Sequence, residues 1–185
     1  MARVYYIAAE FELKEKPEWL DGFRAKYDDP LRYHVTLRGP AYFDEAQLPQ
    51  IQRALAEIAR KTPPFEALFD AYRFNRTNNG HCIMVDAGPD PELHGLQRII
   101  HAAFADTGVY VKPASAEYDA EFRPHITIGR HLDDARFAAA KVELTSPVVC
   151  RADVANIVLD ITNYDSAADL YRPADKFSYT LVGKR

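Results

Sequence analysis

Two short segments of the chain carry the same chemical pattern. Arg32-Tyr33-His34-Val35-Thr36-Leu37 and Arg123-Pro124-His125-Ile126-Thr127-Ile128 both read Arg-x-His-φ-Thr-φ, where φ is aliphatic. The first continues into Arg38-Gly39-Pro40 and the second into Gly129-Arg130. Along a strand, residues two apart project to the same face. His34 and Thr36 then share one surface, and so do His125 and Thr127, while Val35, Leu37, Ile126 and Ile128 turn to the core. Arg32 and Arg123, two residues before their histidines, can share that surface as well. If the two strands meet across a cleft, it gathers two imidazoles, two hydroxyls and nearby guanidinium groups, with nothing acidic in that list. Such a set suits a phosphate ester. Hydroxyls and guanidinium groups donate to phosphoryl oxygens. Two imidazoles titrating near neutrality can divide the proton work, one taking a proton from water and one giving a proton to the leaving oxygen. The working assignment is His125 as base and His34 as acid, although the near-symmetry of the motifs lets the roles interchange. This chemistry needs no metal and no cofactor.

Chance must be set against the pattern. Six histidines and eight threonines in 185 residues give roughly 0.3 His-x-Thr tripeptides, so one match says little. Two matches, each in a strand-like run with Arg two residues earlier, say much more. The structural alternative is a pair of half-buried strand histidines bonded to their neighbouring threonines.

The elements that position these residues can be read along the chain. Val4 to Ala9 is an apolar run that suits a buried strand. A helix follows from Pro17 through Phe23 and Tyr27, with Pro17 in its first turn and Asp28-Asp29-Pro30 as its stop. Tyr33 to Leu37 is the second strand. Leu48, Ile51, Leu55 and Ile58 recur at helical spacing, and Pro49 marks where the regular helix begins. Phe65 to Phe74 and Cys82 to Ala87 read as strands joined by Asn75-Arg76-Thr77-Asn78-Asn79-Gly80, a hairpin signal. Asp90-Pro91 caps and opens a helix carrying Leu93, Leu96, Ile100 and Phe104. Thr107 to Phe122 reads as a strand fragment and a long loop. His125 to Gly129 is a strand, Asp133 caps a helix through Phe137 and Ala140, and strands over Val148–Thr162 and Phe177–Val182 are joined by a polar loop. The order alternates helices and strands but includes a hairpin, so the class is α+β with a hint of duplication, and residues 1–185 read as one domain.

Composition narrows the class further. There are 23 Lys+Arg against 27 Asp+Glu, a formal net charge of −4, with 48% hydrophobic and 27% charged residues. That is an ordinary globular composition. It argues against a surface coated in positive charge that grips nucleic acid by bulk electrostatics, while leaving room for a local basic pocket. Cys82 and Cys150 form neither a zinc framework nor a disulfide scaffold, which suits a reducing cytoplasm. No run approaches transmembrane length.

With the paired motifs in place, the sequence resembles the two-histidine (2H) phosphoesterase superfamily. That superfamily includes the LigT-like RNA 2′,3′-cyclic phosphodiesterases, also called 2′–5′ RNA ligases. The resemblance covers most of the chain through motif placement and element order. It implies a bilobal fold of two pseudo-symmetric halves, each an antiparallel sheet flanked by helices, around a central cleft. It also implies His34 and His125 as the catalytic pair and Thr36 and Thr127 as phosphate-binding hydroxyls; beside the motifs, Arg38 and Arg130 are further candidates for binding the phosphate. The implied partner is an RNA 3′ end bearing a cyclic phosphate, or a small cyclic nucleotide, acted on by a monomer. The first motif departs from the bacterial LigT-like form, which continues into a Phe-Leu-Gly-like stretch where this chain has Arg38-Gly39-Pro40. Two other functions stay open: a non-catalytic RNA-end-binding module of the same fold, and an ATP-independent RNA ligase.

Aromatic residues near the motifs are candidates for stacking on a base, namely Tyr42, Tyr118 and Phe122, against the alternative that they anchor loops to the core. Arg73, Arg76 and Lys112 are either a basic rim or scattered surface charge. His81, His94, His101 and His131 read as surface or capping histidines, since no H-E-x-x-H arrangement accompanies them.

Overall fold

The computed structural model describes residues 2–28, 32–77, 79–164 and 173–184. Among these residues ten strands run in the order β1 Ala2–Phe11, β2 Leu13–Glu15, β3 Tyr33–Tyr42, β4 Phe65–Thr77, β5 Gly80–Ala87, β6 Val109–Tyr110, β7 His125–Leu132, β8 Cys150–Val154, β9 Asn156–Tyr164 and β10 Asp175–Thr180. Five α-helices intervene: α1 Leu20–Tyr27, α2 Leu48–Lys61, α3 Pro91–Ala103, α4 Pro113–Ala120 and α5 Asp134–Glu143. The strands form two five-stranded sheets, β10-β9-β1-β3-β6 and β2-β8-β4-β5-β7. Every strand pair among the described residues is antiparallel. This is the α+β, two-sheet, pseudo-symmetric arrangement the motifs imply. β1 and β3 in one half correspond to β5 and β7 in the other, and β3 and β7 lie beside one another where the sheets meet.

Each sheet buries one face. Tyr5, Ile7, Ala9, Val35 and Leu37 in the first half, and Val85, Ile126 and Ile128 in the second, are all 0% exposed and join one core cluster. Helix α2 fits its sheet because Ile51, Leu55 and Ile58 recur on one face, which is what burial of a helical stripe requires. The capping signals act as read. The Asp90 side chain accepts from Leu93 N–H and the Asp133 side chain from Arg136 N–H. Pro49 falls in the first turn of α2, after a 3₁₀ turn capped by Asp44.

Three expectations are revised. Residues 113–120, read as loop, form α4. Pro113 at the helix start was a valid signal, but the only buried residue of α4 is Asp119, so no apolar stripe announced the helix. The helix expected from Pro17 begins at Leu20, and β3 runs five residues past Leu37, to Tyr42. Asp29-Pro30, Asn78 and most of the polar loop before β10 lie outside the described residues. No helix among the described residues is long and apolar enough to cross a membrane.

Candidate active site

The face opposite the core carries the chemistry. Directly paired residues on neighbouring strands share a face, so the registers show who sits together. His34 lies opposite Glu10 and Thr36 opposite Ala8. His125 lies opposite Asp86 and Thr127 opposite Met84. All four motif side chains are half-buried, and the charge of His34 is felt at His125.

Both imidazoles are held the same way. His34 Nδ1 lies 3.1 Å from the Arg32 carbonyl and His125 Nδ1 lies 2.8 Å from the Arg123 carbonyl. A carbonyl only accepts, so each Nδ1 carries the proton. Each Nε2 is then the nitrogen left for proton transfer. The structural alternative, histidines bonded to their neighbouring threonines, is not what positions them; the backbone two residues upstream does. Burial pushes the His125 pKa down to about 4, with the Arg73 charge adding to the effect. Burial also lowers the pKa of His34, and the Arg130 charge acts in the same direction.

The two arginines part company, for a backbone reason. β3 pairs Thr36 with Ala8 but Arg38 with Ile7. Two residues on β3 advance against one on β1, which is a bulge, and the alternation of faces reverses there. Arg38 therefore turns to the core side. It is 2% exposed and donates to Tyr5 Oη at 2.8 Å, to Tyr110 Oη at 3.1 Å and to the Thr107 carbonyl at 3.0 Å. The expectation that Arg38 binds phosphate is corrected: it is a buried tie between β1, β3 and the segment around β6. β7 repeats the bulge, pairing Thr127 with Met84 but Gly129 with Ile83. Here the reversal returns Arg130 to the face of Thr127. Its Nε donates to Asp28 Oδ1 at 2.5 Å, and its charge reaches His34.

The aromatic candidates also separate. The Tyr118 ring meets His125 edge-on at 5.7 Å and its hydroxyl donates to the Thr36 carbonyl at 2.9 Å. It thus links the first motif's backbone to the second motif's imidazole. Phe122 packs edge-on against Tyr118 and His94, one step further out. Tyr42 lies eight residues along β3 from His34, roughly 20–26 Å at strand rise, and does not join the cluster.

Acidic residues do reach this face. Glu10 and Asp86 are cross-strand neighbours of the two histidines, and each carries a cation: Lys176 bonds Glu10, and Arg73 Nε donates to both Asp86 oxygens at 2.9 Å. Asp160 is 3% exposed on the same face of the first sheet, where burial raises its pKa. The signal is in the sequence, since Glu10 and Asp86 each break an apolar strand and Asp160 is the single charge in Ile157–Ile161, but none of the three lies within the Arg-x-His-φ-Thr-φ segments. The remaining histidines have local roles. His81 stacks on Phe137 and bonds Asp134, and His94 Nδ1 bonds the Asp90 carbonyl.

Comparison with known proteins gives the family. The chain belongs to the 2′-5′ RNA ligase superfamily, the two-histidine phosphoesterases, whose family model matches residues 13–162. A Geobacillus kaustophilus protein that carries the name "Putative phosphoesterase" is 30% identical over 133 residues, 69% of this chain and 70% of its own. Among solved structures, one from Thermus thermophilus superposes with TM-score 0.62 at 18% identity, covering 100% of both chains. E. coli LigT in complex with 3′-AMP gives 0.59 at 17% identity, over 97% of this chain and 99% of that one. At such identities these structures share the fold. Membership of the family makes phosphoester chemistry the reaction class.

Proposed function

We propose that the protein is a metal-independent phosphodiesterase that opens 2′,3′-cyclic phosphates at RNA ends or on nucleotides. The observation that carries this reading is the matched presentation of two Nε2 atoms, each fixed by a backbone carbonyl on Nδ1, beside Thr36 and Thr127. In the reaction, His125 Nε2 takes a proton from water as the water oxygen bonds to phosphorus. The bond from phosphorus to one ribose oxygen breaks, and the imidazolium of His34 gives that oxygen its Nε2 proton. The low pKa of His125 suits it to the base, which must be neutral to act. Thr36, Thr127 and Arg130 hold the phosphoryl oxygens. Ligation of two RNA ends is the same path reversed and uses the same groups. That E. coli LigT has been solved with a 3′-nucleotide supports a nucleotide-sized occupant. The free thiols of Cys82 and Cys150 suit a reducing cytoplasm.

The test is a panel of 2′,3′-cyclic mononucleotides, cyclic-phosphate-ended RNA and ADP-ribose cyclic phosphate, each assayed with and without EDTA. Hydrolysis of a 2′,3′-cyclic member, undiminished by EDTA, is expected. No turnover of any member would sink the reading, and loss on chelation restored by a divalent ion would move the protein to metal-assisted chemistry.

A further inference from the structure

A cavity of about 450 Å³ lies between β4 and α4, beside the second motif. Its walls include Arg73, Arg123, Glu117, Glu121 and Tyr118. The size falls within the range of small-molecule sites. Arg73 is the informative member. Its Nε is fixed by both oxygens of Asp86, yet its Nη2 is buried and has no hydrogen-bond partner. A buried donor without an acceptor is unfavourable, and a bound ligand is one way to supply the acceptor. Asp86 thus sets the plane of the guanidinium at the cavity wall and leaves Nη2 without an acceptor.

We propose that this cavity holds the nucleobase attached to the reacting phosphate and that it selects guanine. The inference rests on the phosphodiester reading above and adds the identity of the terminal nucleoside. Guanine presents two adjacent acceptors, O6 and N7, which an arginine edge can meet in bidentate fashion. On its neighbouring edge it presents N1–H and the N2 amino group, which carboxylates accept. The cavity offers both partners, Arg73 from β4 and, from across the cavity, Glu117 of α4 and Glu121 at its C-terminal end. Adenine would set its N6 amino group against the guanidinium and its N1 lone pair against a carboxylate. Cytosine and uracil lack the O6/N7 pair. The Tyr118 ring, in contact with His125, connects this wall to the site of reaction.

The test is calorimetric titration of the full chain with 3′-GMP, 3′-AMP, 3′-CMP and 3′-UMP. Binding of 3′-GMP is expected to be tighter than the others by about 10- to 100-fold, the size of one good bidentate pair. Arg73→Met, and separately the double change Glu117→Gln with Glu121→Gln, should each bring the four affinities toward parity. The second variant alters only exposed positions, so it decides the matter if loss of Arg73 prevents folding. Equal affinities in the wild type, no binding of any of the four, or a preference that survives the glutamate variant would each overturn the proposal. The readout is a ratio of affinities and not turnover. A protein that prefers 3′-GMP but hydrolyses no cyclic nucleotide would keep this subsite and lose the hydrolase reading. One that hydrolyses all four cyclic nucleotides and binds all four products equally would do the reverse.

Discussion

The two halves place the same backbone under two different dipeptides. After Thr36 and after Thr127 the strand bulges at the same step, and three residues later it slips again, pairing Ala41 with Tyr5 and Leu132 with His81. At the bulge the first half has Arg38-Gly39 and the second has Gly129-Arg130. The bulge sends the first member of each pair toward the core and the second toward the cleft face. Arg38 is therefore spent on internal ties, and Gly39 leaves room for α4. In the second half Gly129 packs against Ile83 and Leu132, and Arg130 carries charge to the cleft. A symmetric backbone becomes an asymmetric site through the order of two residues.

The histidines test whether the two halves act as one unit. His34→Ala and His125→Ala should each lower kcat by about 10²–10⁴-fold, the usual worth of a positioned acid or base. Burial lowers both imidazoles, so the roles are separated by which limb of the pH profile each variant loses. The base must be neutral, so activity should rise as pH passes upward through the His125 pKa of about 4. The acid must be protonated, so activity should fall as pH passes upward through the His34 pKa, which lies below its ordinary 6.5. The kcat/KM profile is thus expected to be a bell shifted to acid pH, because burial lowers both imidazoles below their ordinary range. A better leaving group needs less help from the acid and should rescue His34→Ala alone. Rescue of His125→Ala alone would exchange the roles, and near-wild-type rates in both mutants would make the histidines structural.

The arginines should dissociate stability from activity. Arg38→Met removes the donor to the Tyr5 and Tyr110 hydroxyls and one of the two donors to the Thr107 carbonyl, which keeps the Tyr5 hydroxyl, at a cost of about 1–3 kcal/mol. Denaturant midpoints should fall accordingly, while kcat/KM of the folded fraction stays within a few-fold of wild type. Arg130→Met should lower kcat/KM by about 10- to 10³-fold, the range for one donor to a developing oxyanion. Arg24 remains on Asp28 in that variant, which limits the damage to the fold. The reverse pattern, with Arg38 controlling the rate, would mean that the bulge does not partition the two side chains as the register indicates.

What the sequence disclosed and what it hid follow from the range of the forces involved. Strand alternation placed His34, Thr36, His125 and Thr127 on one face each, because that period is local. The same rule failed at Arg38, because a bulge is set by the partner strand, and nothing within Arg32–Pro40 announces one. Helix α4 was missed because it anchors through polar groups. Asp119 accepts from the Gly39 N–H and the Tyr110 hydroxyl, and Tyr118 donates to the Thr36 carbonyl, so no apolar stripe exists to be read. The carboxylates opposite the histidines became visible only once the registers of β1 with β3 and β5 with β7 were known.

The glycines of the two dipeptides give the smallest and most specific test. Neither Gly39 nor Gly129 has a positive φ, so an alanine at either position is a question of space and not of backbone strain. A Cβ on Gly39 would lie 2.9 Å from Ser115 Cβ and 3.2 Å from the Ser115 carbonyl oxygen. Part of that obstacle is the backbone of α4, which cannot rotate aside. The helix would have to retreat, and it carries both the Asp119 bond to Gly39 and the Tyr118 bond to Thr36. A Cβ on Gly129 would lie 3.3 Å from Leu132 Cδ1 and 3.4 Å from Ile83 Cβ, a contact that side chains can relieve by a few tenths of an ångström. Gly39→Ala is therefore expected to cost about 1–3 kcal/mol, the usual range for overpacking, and to lower kcat/KM a few-fold through Tyr118. Gly129→Ala should cost less than about 1 kcal/mol and leave kcat/KM unchanged. Urea midpoints and initial rates on one cyclic nucleotide measure both. If Gly129→Ala proved the more damaging of the two, α4 would not be seated on β3 by the missing side chain, and the division of labour between the halves would need another cause.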